Sequence, residues 1–95
     1  MNSRNVKIIK ELVKLNGEEV SKDKIIEESL ELALSLTQLK CPTKLDKKRR
    51  LDDVYGELAD MKIQLRKAEM IFSRKKINRL VNQKLQKKKK KYLKK

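Results

Sequence analysis

Five carboxylate side chains fall into two tight groups in this sequence of 95 residues. The first group contains Glu27, Glu28 and Glu31, and the second contains Glu57 and Asp60. On a helix, residues three positions apart lie on the same side, so each group presents two acids together. Clustered carboxylates supply the oxygen ligands that hard divalent cations prefer. The spacing therefore points to a metal site shared by two helices.

The alternative interpretation is a solvated acidic surface paired with lysines. Lys and Arg number 27 and outnumber the 13 Asp and Glu, so chance pairing would be common. Lys24 is nevertheless the only basic residue that lies three or four positions, or one helical turn, from any of these acids. Like charges one turn apart destabilise a helix, and acids packed together without a cation become protonated. We therefore predict a bound divalent cation, with Mg2+ or Mn2+ favoured over Ca2+.

Residue types that are missing narrow the chemistry further. The chain contains no histidine, which excludes histidine general bases and most zinc sites. Its single cysteine, Cys41, cannot form an internal disulfide and fits a reducing compartment. No apolar run approaches the roughly 20 residues of a membrane span. We expect a cytoplasmic protein with no membrane partner.

The pattern of apolar residues predicts an all-α fold with four helices. Only one Pro and two Gly interrupt a sequence rich in Leu, Ile, Lys and Glu, which favours long helices. The expected helices cover about residues 5–15, 21–40 and 46–72, and a fourth begins at residue 74. Gly17 should end the first, and the expected N-terminal caps are Ser21 or Asp23, then Asp46, then Ser73. The lysines at 87–91 are expected to fray.

The second and third helices must position the acids. Apolar residues cover well over half of the second helix, which predicts that several of its sides are covered. On the third helix a stripe runs from Leu51 to Phe72, and Tyr55 is expected in the core. Each acidic pair borders the stripe of its own helix, so packing the stripes together brings four carboxylates to one rim. Because so short a chain buries only roughly 60–65% of its unfolded surface, oligomerisation is one way to complete the core.

The net charge of +14 is very unevenly distributed. Residues 74–95 hold twelve basic residues and no acid, whereas residues 1–73 have a net charge of only +2. We predict a helical domain at 1–85 and a basic tail at 86–95. The tail is interpreted as a solvated helix end, as an attractor of anionic nucleotides, or as a nucleic-acid-binding segment.

The acidic motif resembles that of the MazG-like all-α nucleoside triphosphate pyrophosphohydrolases. In that family an EExxE motif is followed by a spacer of a dozen to just under thirty residues and then by ExxD. Here Glu27-Glu28-Ser29-Leu30-Glu31 is followed by 25 residues and by Glu57-Leu58-Ala59-Asp60, so all five acids are present. The resemblance covers about residues 8–85, and residues 51–72 look like the short, phage-type members. Many of those have Gln near the position of Ser21, which bears on recognition of base or sugar.

The resemblance implies a fold and an activity. The fold would be a MazG-like bundle of about four helices, completed by dimerisation into a homodimer or tetramer. The activity would be Mg2+-dependent hydrolysis of an NTP or dNTP to the monophosphate and pyrophosphate, with Mn2+ as a possible substitute.

The resemblance also implies roles for individual residues. Glu27 and Glu28 would be catalytic, with Glu27 orienting or deprotonating a water molecule. Lys24 would contact a substrate phosphate, although a simple salt bridge with Glu28 explains its position equally well. The implied metal ligands are Glu28, Glu31, Glu57 and Asp60.

Two other functions remain open from the sequence. A non-catalytic protein of the same fold could bind and sequester a nucleotide. A basic helical protein could instead bind nucleic acid, with the acids merely at its surface.

Overall fold

The computed structural model describes residues 1–40 and 47–93, and within these ranges the chain is all-α. Helix α1 spans Ser3–Asn16, α2 spans Glu18–Leu39, α3 spans Lys47–Ile71 and α4 spans Arg74–Tyr92. No strand occurs in the described ranges, so the all-α prediction with four helices is confirmed. None of these four helices combines the length and apolar content that a membrane crossing requires.

A single glycine joins the first two helices. Gly17 has a φ of 83°, which a residue with a side chain rarely adopts, and its N–H donates to the carbonyl of Val13 at 2.9 Å. The predicted end of α1 is therefore confirmed. Gly17 also serves as the N-cap of α2, so the prediction of a cap at Ser21 or Asp23 is wrong. The acids Glu18 and Glu19 occupy the first turn, where the helix dipole favours them.

Helices α2 and α3 form an antiparallel pair that contains most of the contacts between helices. At one end, Arg50 Nη1 donates to the carbonyl of Gln38. At the other, the Lys22 ammonium lies 5.6 Å from the centre of the Phe72 ring. The predicted cap of α3, Asp46, lies outside the described residues.

The contact between α2 and α3, which we call the α2–α3 seam, is lined by residues spaced three and four apart. This spacing is that of helices packed at a shallow angle. Polar side chains alternate with apolar ones along it. The least exposed residues of α2 include Ser21, Ile25, Glu28, Leu32, Ser35 and Leu39, and those in the middle of α3 include Val54, Glu57, Met61 and Gln64.

The apolar core is very small. In the described ranges only Ile9 of α1 and Val54 of α3 are fully buried hydrophobic residues. The expectation that Tyr55 belongs to the core is wrong, since 64% of it is exposed. Leu51, Leu58 and Leu65, which lie on the same side of α3 as Tyr55, are likewise exposed, at 42%, 46% and 56%.

Helix α4 extends from the other three and packs only against the end of α3. Ser73 Oγ accepts a hydrogen bond from the Lys76 N–H at 3.2 Å, which confirms the predicted cap. The expectation that the lysines at 87–91 fray is wrong, because the helix continues to Tyr92. Lysine is a good helix former and is favoured near the negative end of the helix dipole.

Candidate metal centre

Three carboxylates from two helices converge at the α2–α3 seam. Glu28 and Glu31 project from α2, and Glu57 projects from α3. One oxygen from each carboxylate lies within 4.8 Å of the others. We call these three residues the acid cluster. Packing the two helices antiparallel is what brings together acids that are separated by 25 residues of sequence.

The cluster lies partly out of solvent. Glu28 is 8% exposed, Glu57 is half-buried and Glu31 is exposed. Oε2 of Glu28 and Oε2 of Glu57 are both buried, and neither accepts a hydrogen bond within the described residues. A buried carboxylate oxygen without a donor or cation is unfavourable. A cation bound between the two helices could satisfy both of these oxygens, one on each side of the seam.

The electrostatics of the cluster agree with this interpretation. Desolvation raises the pKa of Glu28 above its ordinary value, and the neighbouring Glu31 and Asp60 carboxylates raise it further, while Lys24 opposes the shift. Desolvation likewise raises the pKa of Glu57, together with the charges of Asp60, Glu28 and Asp53. A divalent cation would reverse both effects, because it stabilises the ionised form of each carboxylate.

Asp60 lies beside the acid cluster. It is exposed, and it is not among the three acids whose oxygens lie within 4.8 Å of one another. Its charge nevertheless raises the pKa of both Glu28 and Glu57. Its position one turn after Glu57 on α3 would allow it to act as a fourth ligand, which remains a prediction.

Lys24 and Glu27 lie on the solvent side of the cluster. The Lys24 ammonium donates to both oxygens of Glu27 at 3.4 Å and lies 3.8 Å from Oε1 of Glu28. Both side chains are about half exposed, so these pairs contribute little stability. Among the described residues, Lys24 is the only basic residue that forms an ion pair with the predicted site acids. It is therefore placed both to balance part of their charge and to meet an anionic ligand.

The donor set fits a small hard cation. Mg2+ is held at about 2.0–2.1 Å in an octahedral geometry, which places neighbouring ligand oxygens about 2.9 Å apart and opposite ones about 4.2 Å apart. Oxygens that already lie within 4.8 Å of one another need only small side-chain rotations to reach these values. All of the available ligand atoms are oxygens, which Mg2+ and Mn2+ prefer to nitrogen or sulfur.

Two buried polar residues of the seam were not predicted as part of the site. Ser21 is 1% exposed and Gln64 is 5% exposed, and neither Ser21 Oγ nor Gln64 Oε1 has a hydrogen-bond partner in the described ranges. The sequence does contain a signal for these two residues. Ser21 lies seven positions before Glu28, and Gln64 lies seven positions after Glu57. That spacing repeats a position on the packed face of each helix.

The comparisons with known proteins gave no match. No family model matches the chain, and neither a curated protein nor a solved structure was found to be similar to it.

Proposed function

We propose that this protein is a Mg2+-dependent nucleoside triphosphate pyrophosphohydrolase with a MazG-like fold. The observation that carries the proposal is the convergence of Glu28, Glu31 and Glu57, with two buried oxygens that lack a donor. The order and spacing of the acids match the EExxE and ExxD motifs. A surface of incidental acids would not place unpaired carboxylate oxygens inside a helix seam.

Each residue has a defined role in this proposal. Glu28, Glu31 and Glu57 hold the cation, and Asp60 completes the set. The cation would lower the pKa of a water molecule and neutralise charge on the phosphates. Glu27 orients this water and accepts its proton as the water oxygen attacks a phosphorus of the substrate. Pyrophosphate leaves and the nucleoside monophosphate remains.

Lys24 is proposed to contact a substrate phosphate. Its ammonium already lies at the solvent side of the acids, and it is 46% exposed. A phosphate can replace Glu27 as its partner with little cost, because the existing contacts are long, at 3.4 Å. Nucleoside triphosphates are abundant in the cytoplasm, and we propose that the protein is located there.

The direct test is pyrophosphate release from a panel of NTPs and dNTPs with Mg2+. Wild type is expected to release pyrophosphate from at least one of them, and Glu28→Gln should reduce the rate by at least about 100-fold. The matched control is Glu19→Gln, because Glu19 is an exposed glutamate of the same helix that pairs only with Lys22. This control should keep full activity.

Release from no nucleotide in the panel would refute the hydrolase. If a nucleotide then bound in a Mg2+-dependent manner, the same site would belong to a protein that sequesters nucleotides. Equal loss of activity in Glu28→Gln and Glu19→Gln would show that the acid cluster has no specific role.

We also propose that a second copy of the chain completes the bundle. The accessible surface is 8360 Å2, against about 5,700 Å2 expected for a compact monomer of 11.2 kDa. The radius of gyration is 16.7 Å, compared with about 12 Å for a compact domain of this length. The excess surface of about 2,700 Å2 is large enough for the extensive interfaces of obligate dimers.

The face of α2 opposite the seam is a suitable part of that interface. Ile26, Leu30 and Leu34 recur every four residues and are 58%, 65% and 59% exposed. On a helical wheel they lie about 180° from Glu28 and Leu32, where no other described helix covers them. This explains why apolar residues occupy so much of α2.

Analytical ultracentrifugation tests the assembly. Wild type should sediment as a dimer or tetramer, and Leu30→Lys should produce smaller species or loss of helix. Leu15→Lys is the control, because Leu15 is 80% exposed near the end of α1 and lies outside this face. A stably folded monomer of wild type would refute the proposed assembly.

A further inference from the structure

Helix α4 carries a charge of +10, most of the net charge of +14 of the protein. Ten of its 19 residues are Lys or Arg and none is acidic. None of its residues is buried, and among the described helices it contacts only α3. Almost its whole length is therefore available to a partner outside this chain.

The charges of α4 are not compensated within the protein. In the described ranges only Arg74 of this helix forms an ion pair, at 3.8 Å from Glu69. The consecutive lysines at 87–91, with Lys84 before them, repel one another at spacings of three and four residues. An extended polyanion would remove this repulsion, whereas a single nucleotide could neutralise only one end of the helix.

The polar face of α4 has the form of a nucleic-acid-binding surface. On a helical wheel, Lys75, Arg79 and Lys90 lie on the side opposite the apolar residues of α4. Lys76 and Lys87 lie between that side and Leu80, and the five basic residues are spread along about 22 Å of the helix axis. The amides of Asn82 and Gln83 lie between them in sequence and can also donate to phosphates. We propose that this face binds double-stranded DNA, with α4 lying along the major groove and its lysines contacting phosphates. The groove is about 12 Å wide and accepts a helix of about 10–12 Å.

Double-stranded DNA explains α4 better than a single strand or a membrane. Single-strand binding uses aromatic side chains on which bases stack. The one aromatic residue of α4 is Tyr92, and the Lys91 ammonium lies over its ring, 5.3 Å from the ring centre. A membrane would require an apolar face free of charge. Lys84 and Lys88 lie on the same side as Ile77 and Leu80, so inserting that side would bury ammonium groups.

Fluorescence anisotropy with a labelled 24-base-pair DNA duplex tests the proposal on the full chain. Wild type should bind, with a slope of log K against log salt of about −4 or steeper. A variant with Lys→Gln at 75, 76, 87 and 90 should lose at least about 30-fold in affinity at 0.1 M salt, and its slope should become shallower by about 3. The matched control carries Lys→Gln at 7, 10, 14 and 62, which are exposed lysines outside α4. This control has the same net charge as the fourfold α4 variant, and its affinity for the duplex should stay within about threefold of that of wild type.

Four outcomes would overturn the proposal. The first is no binding of the duplex by wild type at 0.1 M salt. The second is equal loss in both fourfold variants, which would reflect net charge alone. The third is equal or tighter binding of a 24-nucleotide single strand. The fourth is tighter binding to vesicles of equal parts phosphatidylcholine and phosphatidylglycerol, measured by sedimentation. Circular dichroism of both variants confirms that the helices remain.

Discussion

The α2–α3 seam and helix α4 show two opposite ways of concentrating charge in one small protein. In the seam, acids are brought together and partly buried, and Lys24 is their only basic ion-pair partner within the described residues. In α4, basic residues are brought together and left exposed, with Arg74 alone paired to an acid. The two sets do not neutralise each other, although the chain contains both in quantity.

The difference concerns solvation. Water screens the lysines of α4, so their mutual repulsion is modest and the helix persists. Water does not reach Oε2 of Glu28 or Glu57, so desolvation raises the pKa of both residues, and the charges of the neighbouring acids raise it further. The seam could therefore hold a compact cation at a defined point, as we propose, whereas the charge of α4 is suited to a ligand that extends along the helix.

The largest effect should come from removing the acid that α3 contributes to the cluster. Glu57→Gln keeps the size of the side chain but removes a charge from the α3 side of the cation. Mg2+ affinity, measured by titration calorimetry, should fall by at least about 100-fold, and pyrophosphate release should fall with it. Glu19→Gln should bind Mg2+ as wild type does. Unchanged Mg2+ affinity in Glu57→Gln would mean that the two helices do not share a cation.

The cluster could be anticipated because its signals are local and chemical. The three-residue spacing of the acids and the lack of nearby lysines are visible in the sequence, and the structure places Glu28, Glu31 and Glu57 together. Gly17 and Ser73 were predicted correctly for the same reason, since a cap depends on only a few neighbouring residues.

What the sequence could not settle was which face of each helix is covered. Val54 and Tyr55 both belong to the apolar stripe predicted for α3, and periodicity alone does not show which of them is buried. The structure buries Val54, which lies on the packed face together with Glu57 and Gln64, and it leaves Tyr55 64% exposed. Polar residues lower the apparent hydrophobicity of a packed face, so that a more apolar but exposed face of the same helix looks like the core.

The next largest effect concerns Lys24, at the edge of the seam. If its ammonium contacts a substrate phosphate, Lys24→Gln should raise KM by about tenfold, since a charge-assisted hydrogen bond is lost. Mg2+ affinity should not decrease, because the positive charge of Lys24 is removed from beside the acids. Lys22→Gln is the control, because Lys22 pairs with Glu18 and Glu19 at 3.1 Å and 3.3 Å instead. An unchanged KM in Lys24→Gln would contradict the phosphate contact, and the ion pairs with Glu27 and Glu28 would be the remaining role of Lys24.

A smaller effect should appear in the stability of the metal-free protein. The pKa of Glu28 and of Glu57 is raised above 4.5, so the folded state binds more protons than the unfolded state from about pH 4.5 up to the raised pKa values. These two groups therefore make unfolding easier as pH rises through that range. Glu28→Gln without metal should unfold at a higher temperature than wild type at pH 7 and at about the same temperature at pH 4.

Thermal unfolding followed by circular dichroism in EDTA measures this difference. Adding Mg2+ at pH 7 should stabilise wild type and leave Glu28→Gln nearly unchanged, because only wild type keeps the full ligand set. A Glu28→Gln variant that is less stable than wild type at pH 7 in EDTA would contradict the raised pKa and the cation site together.

The smallest expected effects are the cross-effects between the two regions, and they test whether the seam and α4 act separately. Glu28→Gln should alter duplex binding by less than about twofold, since the charge it removes is small beside the ten basic residues of α4. The variant with Lys→Gln at 75, 76, 87 and 90 should keep kcat and KM for a free nucleotide within about twofold. A rise in KM in that variant that disappears at high salt would show that α4 raises the local concentration of anionic substrate for the seam. In that case α4 would first attract the anionic nucleotide, and the acids of the seam would then act on it.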